Sequence, residues 1–426
     1  MKIKKMGKIK GLLKWSIIGI IGYNVITILF FGYTDLDSKT GKYNFYWSGL
    51  KSLWEEDKSF GFKADDFYET HLNGTDGPYI LNDKIYKVND KNELSVEVLD
   101  STKLIKVKTE FSEMAEFSVI IKEEYPAEKD VYSMPQKLFA ISDIEGNFIA
   151  FYSILLANKV IDAHGNWNFG EGHLVLNGDF FDRGSEVTQL LWFIYHLEDQ
   201  AIQNGGKVHF ILGNHEIMNL YGNASDNDFK YIEVARKISG KPHWNEAVSY
   251  LYSENSVLGK WLRSKNIVEK IGDILFVHGG LNQHHWEENI SISELNSIAR
   301  QYMGKYPSEE IINREKNKFV LGSMDSPYWD RRLIYDWKNR LYFLSQGVWM
   351  KKTSQKEVEK ILKFYDVSKM IIGHSVVEDI SADYQGKVIR IDVEHGDKMS
   401  SGKTKGLLIE NNQFYKTDDL GNKHSL

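Results

Sequence analysis

The sequence contains no cysteine among its 426 residues. That absence excludes disulfides, thiolate-held zinc and thiol catalysis together, so any metal must be held by His, Asp, Glu or Asn. A basic surplus is missing too. Lys and Arg number 53 against 59 Asp and Glu, and the net charge of −6 gives no general attraction to nucleic acid. No internal repeat or low-complexity segment stands out. What remains is ordinary for a globular chain with a sizeable core, 42% hydrophobic and 26% charged, at a length suited to one large domain with accessories.

Only the N-terminus departs from this average. Lys2, Lys4, Lys5, Lys8, Lys10 and Lys14 precede the uncharged run Trp15–Tyr33, "WSIIGIIGYNVITILFFGY". At about 1.5 Å per residue a helix of that length matches a bilayer core. The lysine excess places the N-terminus in the cytoplasm and the rest of the chain outside it. A cleaved signal peptide is the competing reading, but no small-residue A-x-A site follows the run. Residues 1–34 are therefore expected to be a lysine-rich tail with a transmembrane anchor, and the catalytic part to be extracytoplasmic.

Residues 35–76 read as a juxtamembrane linker. Over residues 77–130 the segments "KIYKV", "LSVEVLD", "KLIKVKTEF" and "FSVIIKEEY" alternate apolar with polar residues and are broken by Asn, Asp and Gly, which predicts a small antiparallel β module. From residue 135 to 426 the texture changes to strands alternating with helices, the pattern of an α/β layered fold. "KLFAIS", "HLVLN", "KVHFIL", "DILFV" and "KMII" read as buried strands, and "KVIRIDVE" and "GLLIENNQFY" as two strands closing a second sheet. Ile217–Lys270 and Asn282–Leu344 are rich in aromatics (Trp244, Trp261, Trp286, Tyr328, Trp329), and the expectation is a helical cap whose aromatics line the substrate entrance, although any single one of them is more readily a core residue of its insertion.

Each buried strand runs into ligand-type residues. Asp143 and Glu145 follow the first, Asp179, Asp182 and Arg183 the second, Asn214, His215 and Glu216 the third, His278 the fourth and His374 the fifth. Ligands gather at the carboxyl ends of strands in such sheets. Two divalent ions roughly 3.5–4 Å apart can clamp a phosphoryl group and activate a water, which requires one bridging carboxylate and separate ligands for each ion. Asp143 and Glu145, two apart, project to one side of extended backbone. Asp179 suits the bridge, and Asn214, His278 and His374 suit the second ion. Each piece has a bland alternative as a loop histidine, a turn or a surface ion pair; their succession at five strand ends carries the reading.

"GDFFDRG", "GNHE" and "HGG" resemble the signature of the calcineurin-like metallophosphoesterase superfamily, and in particular its phosphoprotein phosphatase branch. "LGNHEIMNLYGN" and "SPYWDRR" are similar to the bacterial Shewanella-like group within it. The resemblance covers about Lys137 to Glu394. It implies a two-sheet α/β sandwich holding two divalent ions, with Mn²⁺ expected ahead of Fe, Zn or Mg. It further implies that Asp143, Glu145 and Asp179 hold one ion and Asp179, Asn214, His278 and His374 the other. His215 would protonate the leaving oxygen, oriented by Asp182, while Arg183 and Arg331 would bind the substrate's phosphate and Glu216 would support the ligands from behind.

Two positions depart from the family pattern. Glu145 stands where the family's first motif has His, which makes the first site harder and more anionic and favours Mn²⁺ or Mg²⁺ over softer ions. Lys230 stands where relatives tend to carry Arg, which weakens any phosphate role there. The implied activity is hydrolysis of a phosphomonoester on a protein or small molecule, with phosphotyrosine suited to an aromatic cap. A dinucleotide polyphosphate hydrolase and a catalytically silent metal-containing sensor are the alternatives.

Overall fold

The computed structural model describes residues 2–37, 42–47, 61–67, 76–89, 91, 93–241, 243–322, 324–334 and 351–426. The chain divides into two compact units, Met1–Glu69 with Asp336–Met350, and Thr70–Tyr335 with Lys351–Leu426.

In the first unit one helix spans Lys2–Phe31. Its stretch Leu13–Phe31 is long and apolar enough to cross a membrane, a property that signal sequences near an N-terminus share. Almost none of that stretch is buried, with Trp15 and Leu29 more than two-thirds exposed. A helix whose apolar stretch stays almost wholly exposed among the described residues is suited to lipid rather than water. Three short strands follow, β1 (Tyr33–Asp37), β2 (Lys42–Tyr46) and β3 (Gly61–Phe67), in one antiparallel sheet. They occupy part of the expected linker; its residues 38–41, 48–60 and 68–75 lie outside the described residues. The indole N–H of Trp47 donates to Thr27 Oγ1 at 3.2 Å, tying this segment to the helix.

The second unit opens with β4 (Asp76–Leu81), β5 (Lys84–Val88) and β6 (Leu94–Val98) in one antiparallel sheet and β7 (Leu104–Lys108) with β8 (Glu116–Ile120) as a hairpin. Along the hairpin Ile105, Val107, Phe117 and Val119 are buried while their neighbours are exposed, the two-residue period of a half-covered sheet. β4 breaks that period because it is buried throughout. The helix Val187–Gln203 covers it, with Trp192 Nε1 donating to Pro78 O and Thr188 Oγ1 hydrogen-bonding Tyr79 Oη, both at 2.8 Å.

The remaining strands are β9 (Val131–Tyr132), β10 (Lys137–Ile141), β11 (His173–Asn177), β12 (Lys207–Ile211), β13 (Val268–Ile271), β14 (Ile274–Val277), β15 (Lys369–Ile372), β16 (Ser381–Asp383), β17 (Val388–Arg390), β18 (Lys405–Glu410), β19 (Gln413–Asp418) and β20 (Lys423–Ser425). They build two six-stranded sheets, ordered β12-β11-β10-β18-β19-β20 and β16-β17-β15-β14-β13-β9. β10, β11 and β12 run parallel, as do β14, β15 and β17. Strands covered on both faces need no polar alternation, which is why Leu138–Ile141 and Met370–Ile372 are continuous apolar runs with no exposure. Leu138, Ala140, Val175 and Ile211 pack with Ile274, Phe276, Ile371 and Ile389 in a core separate from the larger one.

Two expectations are corrected. The C-terminal strands do not close one sheet together: β17 joins the second sheet, whereas β18 pairs antiparallel with β10 and extends the first. Leu407 and Ile409 point into a core, so this strand is apolar enough to lie inside a sheet beside β10. Both insertions are helical, but Trp261 faces the core and not an entrance. It packs on Phe210 and Tyr195 and donates its N–H to Glu198 Oε2 at 2.9 Å. Tyr328 is buried as well. The end of the second insertion, from residue 335, lies outside the described residues.

Candidate metal and phosphate site

The carboxyl ends of β10, β11, β12, β14 and β15 lead into Asp143, Asp179, Asn214, His278 and His374. The backbone turns abruptly there. Asp143, Glu145, Asp179, Asp182, Arg183 and His374 all have φ between 49° and 72°. Left-handed backbone at residues other than glycine is strained, and its concentration in one place marks a site where geometry outranks local stability. The turns are cross-braced by the Glu216 carboxylate, which accepts backbone N–H groups from Asp179, Phe180, Phe181 and Gly213 at 2.7–3.2 Å. Gly213 has to be glycine because a Cβ there would overlap the Asp179 carboxylate.

Side-chain donors of Asp179, His278 and His374 lie within 4.8 Å of one another. His278 Nε2 is 2.9 Å from Asp179 Oδ2, and its Nδ1 faces Asn177 O at 2.8 Å. That backbone contact fixes the ring so that Nε2 faces the site. The Asn214 amide lies against His374 Nδ1, His278 Nε2 and Asp179 Oδ2, at 2.7, 3.2 and 3.3 Å, and with its nitrogen turned to them it donates to this group. His374 Nε2 is buried without a hydrogen-bond partner. Asp143 Oδ2 accepts from Ser142 Oγ at 2.5 Å and from the His374 backbone N–H at 3.2 Å.

The charge balance points the same way. Burial raises the Asp143 carboxyl, and the neighbouring Asp392 adds to the rise. Burial likewise raises Glu145, against the pull of Arg183. Asp392 is pushed up to about 8 by burial and by the charges of Glu145 and Asp179. Asp179 alone is held well below the usual range, its burial outweighed by His278 and His215. His278 reaches about 9 because Asp179 and Asp143 outweigh its burial, while burial and Arg331 hold His374 well below its ordinary value. Crowded buried carboxylates with the unprotonated His374 imidazole beside them form a set of oxygen and nitrogen donors, and divalent cations relieve the repulsion.

Next to this set His215 Nδ1 lies 2.5 Å from Asp182 Oδ2, and Asp182 Oδ1 accepts from Asn219 Nδ2 at 2.7 Å. Burial lowers the His215 pKa, but Asp179 and Asp182 overcome it and carry it to about 10. Glu145 sits apart from the other carboxylates in its bonding: it is ion-paired to the Arg183 guanidinium. Arg331 donates to His374 O at 2.8 Å and to Ser375 Oγ at 2.9 Å. Lys230 is buried, with Nζ 5.1 Å from the Tyr231 ring centre. A cleft of about 620 Å³ opens over Asp143, Glu145, Arg183, Asp392 and His395.

Two residues were missed from the sequence. Asp392 is buried in this cluster just past the end of β17, a sixth strand end to which the same rule applied. Asp226 brings a carboxylate within 4.8 Å of Asp182 and His215, from a loop with no spacing signal.

A family description, calcineurin-like phosphoesterase, matches residues 136–378. Shewanella-like protein phosphatase 1 of Plasmodium berghei (strain Anka) is 28% identical over 239 residues, 56% of this chain and 61% of that protein. The chain thus spans less than two thirds of that relative. Shewanella-like protein phosphatase 2 of Arabidopsis thaliana is 24% identical over 327 residues, covering 65% of this chain and 74% of the relative. The solved cold-active protein-tyrosine phosphatase of a psychrophilic Shewanella species superposes with a TM-score of 0.70 at 28% identity, over 83% of this chain and all of that one.

Proposed function

This chain belongs to the calcineurin-like phosphoesterase family, and from that premise we propose that it is a metal-dependent phosphomonoesterase acting on phosphoproteins, with phosphotyrosine preferred. The observation that carries the reading is the convergence of Asp143, Asp179, Asn214, His278 and His374 beside the His215–Asp182 pair. These ligands, completed by Glu145, would hold two divalent cations that supply Lewis acidity and an activated water. Mn²⁺ is the expected ion, because Glu145 in place of an imidazole makes the donor set harder and more anionic.

The chain's own residues supply the rest. Arg183 lies half-exposed at the cleft, where its planar fork matches two phosphate oxygens. Arg331 is oriented by the His374 loop and serves as the second clamp. His215, held by Asp182, delivers its proton to the departing alkoxide or phenoxide oxygen. The tyrosine preference is supported by the name of the Shewanella structure and by the Trp329 ring set edge-on to His374 at 5.5 Å. The helix Lys2–Phe31 anchors the enzyme, and the catalytic unit lies on the extracytoplasmic side.

The test uses the full chain in detergent with Mn²⁺ and matched phosphotyrosine and phosphoserine peptides. Asp179→Asn is expected to weaken Mn²⁺ binding by at least about 100-fold and to abolish turnover. An active parent with an unaffected Asp179→Asn variant would end the two-metal reading; equal or better turnover of phosphoserine would end the tyrosine preference alone.

A further inference from the structure

Glu145 is, with Lys230, one of the two positions at which this chain departs from the family pattern, and its carboxylate is engaged with the guanidinium of Arg183. The backbones that carry the two side chains cannot move apart. Glu145 N donates to Asp179 O at 3.0 Å, and Gly184 N donates to Glu145 O at 2.9 Å. Arg183 N donates to Asp226 O at 3.0 Å. Gly184 lies so close that a Cβ would overlap Glu145 O. With the backbones tied together, side-chain rotation is the route by which the Glu145 carboxylate would leave Arg183 for the donor cluster around Asp179, whose charge already acts on it. An imidazole in the same place would repel Arg183 when charged and offer it no carboxylate when neutral.

We propose that Glu145 couples metal binding to phosphate binding, holding Arg183 in the metal-free protein and releasing it when a cation draws the carboxylate inward. The proposal rests on the phosphoesterase reading above. Arg183 is the more exposed partner, with 55% of its side chain accessible against 24% for Glu145. Phosphate arriving first must displace a carboxylate already bidding for the same guanidinium. A divalent ion carries twice the charge of that guanidinium and sits among buried carboxylates, where the attraction is stronger. Loading the cation thus frees the clamp, and by linkage a bound oxyanion tightens the cation to the same degree. The consequence is an ordered site, in which phosphate is gripped only after the hydrolytic centre is complete.

The experiment compares inorganic phosphate binding to the EDTA-treated full chain in detergent for wild type, Glu145→Gln and Glu145→Gln/Arg183→Ala. Phenylglyoxal labelling of Arg183, followed by mass spectrometry, is read alongside. Removing the charge at constant shape is expected to tighten metal-free phosphate binding about tenfold and to speed labelling by a similar factor, and the double variant loses the gain. In wild type, Mn²⁺ accelerates labelling; in Glu145→Gln it does not. Glu145→His, which restores the imidazole usual in the family, behaves as Glu145→Gln and guards against a defect peculiar to the amide. Unchanged phosphate affinity and labelling in both single variants would overturn the proposal. Wild-type chain that takes up no Mn²⁺ would overturn the phosphoesterase reading, whereas Mn²⁺ uptake without change at Arg183 would overturn the coupling alone.

Discussion

His215 is fixed from two sides, its ring by Asp182 and its backbone N–H by Asp179 Oδ1 at 3.0 Å. A proton donor so placed matters most when the departing oxygen is a poor leaving group. His215→Asn is therefore expected to lower kcat about 10²–10⁴-fold on phenyl phosphate and much less on p-nitrophenyl phosphate, whose phenolate departs unaided. Mn²⁺ binding should be retained. Equal losses on both esters would show that the residue does not donate the proton. Its place and that of the proposed ligands Asp143, Asp179, Asn214, His278 and His374 beside one another were legible in the sequence, because each follows an apolar strand whose end the fold must deliver to one edge. The Glu145–Arg183 pair was not legible. Spacing says which residues share an edge, but which of two partners a carboxylate takes depends on rotamers and on neighbouring charge. Glu216 is intermediate: its supporting role was read, but its span across four amides belongs to two loops far apart in sequence.

At the scale of elements, buried strands and crossover helices were legible as apolar runs and helical spacing. The sheet membership of β18 was not, since an apolar strand pairs equally well with either sheet until the edge of β10 is known. Trp261 failed for a similar reason, as one aromatic in a polar insertion carries no sign of the face it takes. The short helix Gln283–Glu287 shows what such packing does to a titratable group. His285 Nδ1 accepts the Asn282 N–H at 3.0 Å, and Nε2 donates to Phe319 O at 2.9 Å, so the neutral ring is fully satisfied. Burial lowers its pKa to about 4. A histidine whose folded pKa is depressed binds fewer protons when folded than unfolded between about 4 and 6.5, so stability rises with pH across that window. His285 alone should withdraw on the order of 3 kcal/mol as pH falls through it. Urea midpoints from pH 7 to pH 4.5 check this. Wild type should lose stability more steeply than His285→Gln, and parallel slopes would show that His285 is not held neutral.

At the scale of the whole molecule, the proposed anchor could take either of two orientations in a bilayer, and the charges beside the helix select between them. Trp15–Phe31 carries no charge and exposes its apolar side chains, so leaving it in water is costly, whereas a bilayer accepts it. Insertion alone permits either orientation. The lysines at positions 2, 4, 5, 8, 10 and 14 break that symmetry, each favouring the anionic cytoplasmic leaflet by about 1 kcal/mol. Summed, that preference is large enough to select one orientation nearly completely, since 1.4 kcal/mol is already tenfold. The full chain expressed in bacterial cells should stay in membranes after alkaline carbonate washing, and protease added to spheroplasts should remove the catalytic unit while the lysine-rich end survives. Exchanging these lysines for Gln and adding Lys after Tyr33 should invert the orientation and protect the catalytic unit. A mature protein beginning beyond Phe31 and free in solution would mean the helix is removed after directing export. Protection of the wild-type catalytic unit in intact spheroplasts would instead place the phosphatase, and its substrates with it, in the cytoplasm.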